Sequence, residues 1–155
     1  MTTSISAQTL LTREMLQRRR PGYSLEAPFY LSETVLQADM EHIFGKHWIF
    51  VAVEPQIPEP GDYIAVEFSN KSILIVRDDD MGVRAFHNVC RHRGSRLCES
   101  HKGQVGNIVC PYHQWTYDLS GQLIHAKHMG ADFDPSEMHL KTVHVRTLCG
   151  LIFIC

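Results

Sequence analysis

Two cysteines and two histidines, set as Cys90-Arg91-His92 and Cys110-Pro111-Tyr112-His113 with 17 residues between the pairs, constrain this chain more than any other feature. Together they can supply two thiolate and two imidazole ligands. Thiolates select soft or borderline metals, and imidazole suits iron and zinc alike. The short spacing within each pair lets one tight loop offer both of its ligands to a common centre. Gly94 and Pro111 favour turns at those points. The residue types and spacing therefore predict a metal site. A structural zinc ion in a closed Cys₂His₂ tetrahedron is one occupant that such a set would suit.

Zinc fingers usually place both cysteines in one pair and both histidines in the other. Here each pair is mixed. In a Rieske [2Fe–2S] centre two cysteines hold one iron and two histidines the other. Two loops that each give one Cys and one His would then each bridge the two irons. The phrases Cys90-Arg91-His92-Arg93-Gly94 and Cys110-Pro111-Tyr112-His113-Gln114-Trp115 resemble the Rieske cluster motif. That resemblance implies Cys90, His92, Cys110 and His113 as ligands, with Arg91, Arg93, Tyr112 and Trp115 around them. Neutral imidazoles in place of two thiolates make such a cluster less negative and easier to reduce. High-potential members carry a disulfide between the loops, and the matching positions here hold Ser95 and Tyr112. They also carry a serine hydroxyl two residues after the second histidine, where this chain has Trp115 with only an indole N–H to donate. The resemblance thus implies a low-potential centre, fed from a nicotinamide-driven reductase rather than from quinol. Trp115 and Tyr117 are read as packing that keeps water off the cluster, and Cys98 as a buried or loop thiol.

A length of 155 residues suits a folded domain with a core of its own, and 44% hydrophobic with 21% charged residues is ordinary for a globular protein. A formal charge of −2 argues against general nucleic-acid binding. No apolar run reaches the roughly eighteen residues of a membrane span. Five cysteines leave Cys98, Cys149 and Cys155 after the candidate ligands, without the spacing of a disulfide framework. A reducing, cytoplasmic setting is the expectation. Arg13, Arg18, Arg19 and Arg20 against Glu14 loosely imitate a transit peptide. An amphipathic helix with Leu10, Leu11 and Met15 on one side is the expected structure there.

Ser32 is placed to cap a helix from Glu33, with a stripe of Leu36, Met40 and Ile43 expected to face the core and Gly45 expected as the C-terminal cap. From His47 the pattern turns to strands: 48–53, 63–68, 72–76 and 83–87, with a hairpin at Ser69-Asn70-Lys71 and a solvated turn at Asp78–Gly82. Residues 105–109 lead into the second ligand loop, and 115–117 and 122–124 flank a hairpin at Leu119-Ser120-Gly121. Residues 143–145 and 148–155 are read as strands. The division expected is an N-terminal helical arm over 1–45 and a mainly β domain over 46–155. Ending inside the apolar run 151–155 suggests the N-terminal piece of something longer.

The residues ahead of the cluster motif, His47-Trp48-Ile49-Phe50-Val51 and Pro60-Gly61-Asp62-Tyr63, extend the likeness. With the two loops they resemble the N-terminal half of a Rieske non-haem iron oxygenase α-subunit. That implies a Rieske fold, an antiparallel β-sandwich base carrying a small cluster-binding subdomain. Within the family, Cys90–Arg96 and Met129–Pro135 look most like the branch that oxidatively demethylates betaines and related quaternary ammonium compounds. The resemblance further implies a flavin and iron–sulfur reductase drawing on NAD(P)H. It also implies a mononuclear Fe(II) in a C-terminal catalytic domain, a homotrimeric assembly, and His92 or His113 as the electron exit. Aromatic-ring hydroxylation within the family, and a free-standing Rieske ferredoxin, are the competing functions. His92→Cys is expected to lower the potential, and the potential is expected to depend on pH in alkaline solution because ferric iron acidifies its imidazoles.

Overall fold

In the computed structural model, residues 13–127, 129–130 and 132–155 are described. The chain forms two compact units, Met1–Trp48 and Ile49–Cys155. Leu10 and Leu11 of the expected amphipathic stripe lie outside the described residues, while Met15 is buried within helix α1 (13–17).

The first unit continues with α2 (Pro28–Leu31) and α3 (Glu33–His42), followed by a 3₁₀ turn at Phe44–Lys46. Pro28 sits in the first turn of α2, where its missing N–H costs nothing. Ser32 does precede α3, yet its hydroxyl makes no capping bond. The expected core stripe is corrected. Val35 and Ala38 are the buried residues of α3, whereas Leu36 is 49% and Ile43 48% exposed. Helical spacing tells which side chains share a face, not which face the tertiary structure covers. Gly45 is likewise no left-handed cap. A Cβ there would meet the Met40 carbonyl oxygen at 2.7 Å, so close backbone approach is what requires glycine.

The second unit is built from three small antiparallel sheets. One has the order β1 (Ile49–Val53), β10 (Leu151–Ile154), β9 (Val145–Leu148); another β4 (Val83–His87), β3 (Lys71–Arg77), β2 (Asp62–Phe68), β5 (Lys102–Gln104). The third is β6 (Ile108–Val109), β7 (Thr116–Tyr117), β8 (Leu123–His125). Side chains alternate along a strand, and β3 shows the consequence. Ile73 and Ile75 join Ala52, Ile57, Ile152 and Ile154 in one core cluster. Leu74 and Val76 join Phe86, Trp115 and Tyr117, with Cys90 and Cys110, in the other. The β4-β3-β2-β5 sheet is therefore a middle layer, apolar on both faces, which is why β3 reads as a continuous hydrophobic run.

The hairpin after β2 closes through Ser69-Asn70, with Phe68 opposite Lys71 and Ser69 at φ 57°. The short edge strand β5 was not expected. The run 148–155 is not one strand but a second hairpin: Cys149 (φ 50°) and Gly150 (φ 79°) turn the chain, pairing Leu148 with Leu151. Strand structure there starts at Val145 rather than at Val143. Asp78 is also not solvated. It is buried and accepts hydrogen bonds from the backbone N–H of Asp80 and Gly82 and from Arg84 Nε. It organises its own turn, as an aspartate in this position commonly does.

Candidate metal centre

Each candidate loop leaves a strand and returns on itself by the same pair of backbone bonds. In the first, Cys90 N donates to Ser95 O at 2.8 Å and Gly94 N to Cys90 O at 3.0 Å. In the second, Cys110 N donates to Trp115 O at 2.8 Å and Gln114 N to Cys110 O at 3.0 Å. The fourth residue after each cysteine is left-handed, Gly94 at φ 73° and Gln114 at φ 60°. The loops are conformational twins, although the histidine is two residues after the cysteine in one and three after it in the other. Gln114 in the glycine-like role was not foreseen, because nothing local in its sequence marks it.

The twin turns bring all four candidates together. Cys90 and Cys110 are each 2% exposed, at the base of the core cluster that also holds Trp115 and Tyr117. The imidazoles of His92 and His113 lie edge-to-face with centroids 4.8 Å apart. Trp115 stacks on His92 at 4.8 Å and 12°, and the exposed Tyr112 ring covers His113 at 3.8 Å. Loss of solvation, with the charges of His113 and Arg93, lowers the His92 pKa and favours the neutral imidazole that metal ligation needs. Burial raises the Cys90 thiol.

Whether these residues suit an iron–sulfur group can be tested on the atoms left over. His113 Nδ1 is buried and has no hydrogen-bond partner, as an atom reserved for a metal would be. No group of three or more His, Cys, Asp or Glu among the described residues is gathered around a single metal-sized point. A closed tetrahedral zinc site needs four donors at one point. Two thiols and two imidazoles in separate pairs suit a two-metal group, each metal taking two protein ligands. The residues fit that group.

Tyr117, which the sequence suggests only as packing, has a more specific place. Its Oη accepts from Arg91 N at 3.1 Å and lies 3.5 Å from Cys90 Sγ. Burial first, then the Cys90 contact, raises its pKa, so the phenol keeps its proton. Once Cys90 is a thiolate, that proton is the one available for the bond. Tyr117→Phe is expected to lower a cluster's midpoint potential. If about 1 kcal/mol of such a charge-assisted bond differs between the two redox states, the fall is about 40 mV for one electron. Redox titration followed by visible absorption measures it, and an unchanged potential would count against the bond.

Asn88 was also missed. Its buried side-chain amide accepts from Cys98 N at 2.9 Å and donates to Cys98 O at 2.7 Å and to Ser72 Oγ at 3.2 Å, fastening the entry of the first loop to the segment after it. Cys98 itself faces Tyr63, and burial pushes its thiol up to about 11. Cys98→Ser is expected to leave an iron–sulfur spectrum unchanged; loss of the spectrum would place Cys98 among the ligands. Arg93 is exposed, and Arg96 is paired with Glu67 at 2.8 Å, so the positive charge of the first loop is partly compensated.

The paired loops on a layered antiparallel β scaffold define a domain that presents two thiols and two imidazoles at one site. Residues 47–145 match the Rieske [2Fe-2S] domain, and the chain belongs to that family. It is similar to the glycine betaine monooxygenase oxygenase subunit of Pseudomonas aeruginosa, 46% identical over 144 residues, which covers 92% of this chain and 34% of that protein. The quaternary ammonium Rieske monooxygenase CntA, solved with the substrate L-carnitine, superimposes with a TM-score of 0.78 at 38% identity, over 82% of this chain and 37% of that one. Naphthalene 1,2-dioxygenase from Rhodococcus sp., solved with indole, gives 0.85 at 30% identity, over 96% and 35%. The chain thus spans about a third of the length of each of these three proteins. No helix among the described residues is long and apolar enough to cross a membrane.

Proposed function

We propose that Cys90 and Cys110 hold one iron and His92 and His113 the other of a Rieske [2Fe–2S] cluster, and that the chain is the electron-transfer part of an oxygenase subunit acting on a betaine-like quaternary ammonium substrate. The twin ligand loops carry the first half of this reading, and the identity to the glycine betaine monooxygenase subunit supports the second. The cluster, when bound, stores and releases one electron at a time.

The protein's own residues prepare its surroundings. Tyr117 offers a proton to the Cys90 sulfur, Asn88 holds the entry of the first loop, and Trp115 and Tyr112 shield the two imidazoles from water. His92 and His113 are the less buried ligands and form the exit side. The partners proposed are an NAD(P)H-dependent flavin and iron–sulfur reductase and a mononuclear non-haem Fe(II) held by two histidines and a carboxylate in a further catalytic domain. A homotrimer in the cytoplasm is the proposed setting.

Low-temperature EPR of the reduced protein tests the cluster: a coloured protein with a signal on reduction is expected, and a colourless, silent zinc protein would sink the reading. The substrate is tested on full-length protein with its reductase, NAD(P)H, O₂ and glycine betaine. Each turnover is expected to consume one O₂ and one NAD(P)H with a proton, and to release dimethylglycine, formaldehyde and water. Turnover of naphthalene or biphenyl with none of betaine or carnitine would overturn the substrate class. Among superimposed structures, the identity of 38% to the quaternary ammonium enzyme against 30% to the naphthalene enzyme favours demethylation over ring hydroxylation.

A further inference from the structure

Beside the first ligand loop lies a cavity of about 420 Å³ lined by His87, Val89, Cys90, Arg91, Gly94 and Lys141. None of His92, Cys110 and His113 lines it, so it is not the space between the two ligand loops. Three nitrogen-bearing side chains border it and no carboxylate does. The ion pairs formed among the described residues use Arg18, Arg77, Arg84 and Arg96, and leave the Arg91 guanidinium and the Lys141 ammonium uncompensated. Arg91 Nε is moreover buried with no hydrogen-bond partner. A buried donor on a charged group without an acceptor is costly, and a structure that keeps one invites an occupant that supplies the acceptor.

Lys141 is held at the cavity by its backbone. His87 N donates to Lys141 O at 2.9 Å, and Phe86 and Thr142 form a β-bridge just beyond. Burial, then the charges of Lys71 and Lys141, lowers the His87 pKa, so the ring is a neutral donor at neutral pH and adds no third charge. At Gly94 an added Cβ would meet nothing within 4 Å, which leaves that wall open.

We propose that this cavity binds a small oxyanion, a carboxylate or a phosphate, gripped by the Arg91 guanidinium and the Lys141 ammonium. A planar guanidinium fork matches the spacing of two oxyanion oxygens, and the ammonium serves as a point charge beside it. Because Cys90 lines the same cavity, the anion places negative charge next to a cluster ligand. It therefore opposes addition of an electron and binds the oxidised protein more tightly than the reduced one. By linkage, the same factor appears as a fall in midpoint potential. This electrical readout rests on the cluster reading above; the binding itself does not.

The test is a redox titration of the cluster-loaded protein in rising inorganic phosphate, and separately in acetate, at ionic strength held constant with potassium chloride. Calorimetric titration of phosphate and acetate runs in parallel. A saturable fall in potential is expected, about fivefold in affinity between redox states or about 40 mV. A response to acetate alone assigns a carboxylate, and to phosphate alone a phosphate. Lys141 is exposed, so Lys141→Met should fold normally and lose the saturable shift, while Lys141→Arg keeps it. A fully loaded cluster whose potential ignores both anions overturns the proposal, as does an undiminished shift in Lys141→Met. Should no cluster form, the calorimetric arm still decides, since absence of saturable heat with both anions overturns the site and its presence upholds it.

Discussion

Cys110→Ser is expected to abolish the visible absorption and the low-temperature EPR signal of the reduced protein. It is also expected to lower the thermal unfolding midpoint by several degrees. A hydroxyl is a far poorer partner for a soft iron–sulfur group than a thiolate. In the proposed cluster the sulfur-held iron would have only two protein ligands, so losing one would remove half of its attachment to the protein. The stability effect follows from linkage: a group bound only by the folded state stabilises it, and its loss returns that free energy. The turn bonds of the second loop do not depend on the Cys110 thiol, and His113 Nδ1 would stay buried without any partner. The control is the chemically identical exchange at Cys98, which is also buried but faces Tyr63. Full iron content and an unaltered EPR signal in Cys110→Ser would remove this residue from the ligand set.

Gly61→Ala is expected to destabilise the protein by about 3 kcal/mol, read as a lower urea midpoint at unchanged slope. Gly61 is at φ 84°, where a side chain costs about 1–2 kcal/mol. An added Cβ would also lie 2.1 Å from the Val105 carbonyl oxygen. That oxygen belongs to backbone, and the two residues are already joined by Val105 N donating to Gly61 O at 3.0 Å, so neither segment can step aside cheaply. Overpacking of this kind costs about 1–3 kcal/mol more. Gly150→Ala separates the two contributions. Its φ is 79° but nothing lies within 4 Å of the new Cβ, so only about 1–2 kcal/mol is expected there. Equal losses at both positions would show that the contact with Val105 contributes nothing. Val105 leads into β6 and the second ligand loop, so Gly61→Ala should also lose its iron at a lower temperature than the parent.

The electronic setting of the candidate cluster divides between the two kinds of information. Trp115, standing where a hydroxyl would donate, is evident in the sequence, as are Ser95 and Tyr112 in place of a disulfide. Tyr117 is not: its hydroxyl meets Cys90, 27 residues away, only because β7 and the first loop pack into one core cluster. A potential estimated from sequence positions alone would omit this donor.

The amino-acid sequence by itself determined the candidate ligand types, their spacing, the strands that lead into each loop, and the family. Those are local properties, since a turn, a strand period and a Cys-x-His phrase are decided by neighbours along the chain. Only the tertiary structure decided which face of α3 is buried, that the run from Leu148 turns back at Cys149-Gly150, and that Asp78 is enclosed. It also decided that Asn88 and Tyr117 attend the first loop, and that Arg91 and Lys141 share one cavity. Each of these depends on which distant surface covers a given side chain. Burial and pairing across tens of residues leave no periodicity to be read from the chain.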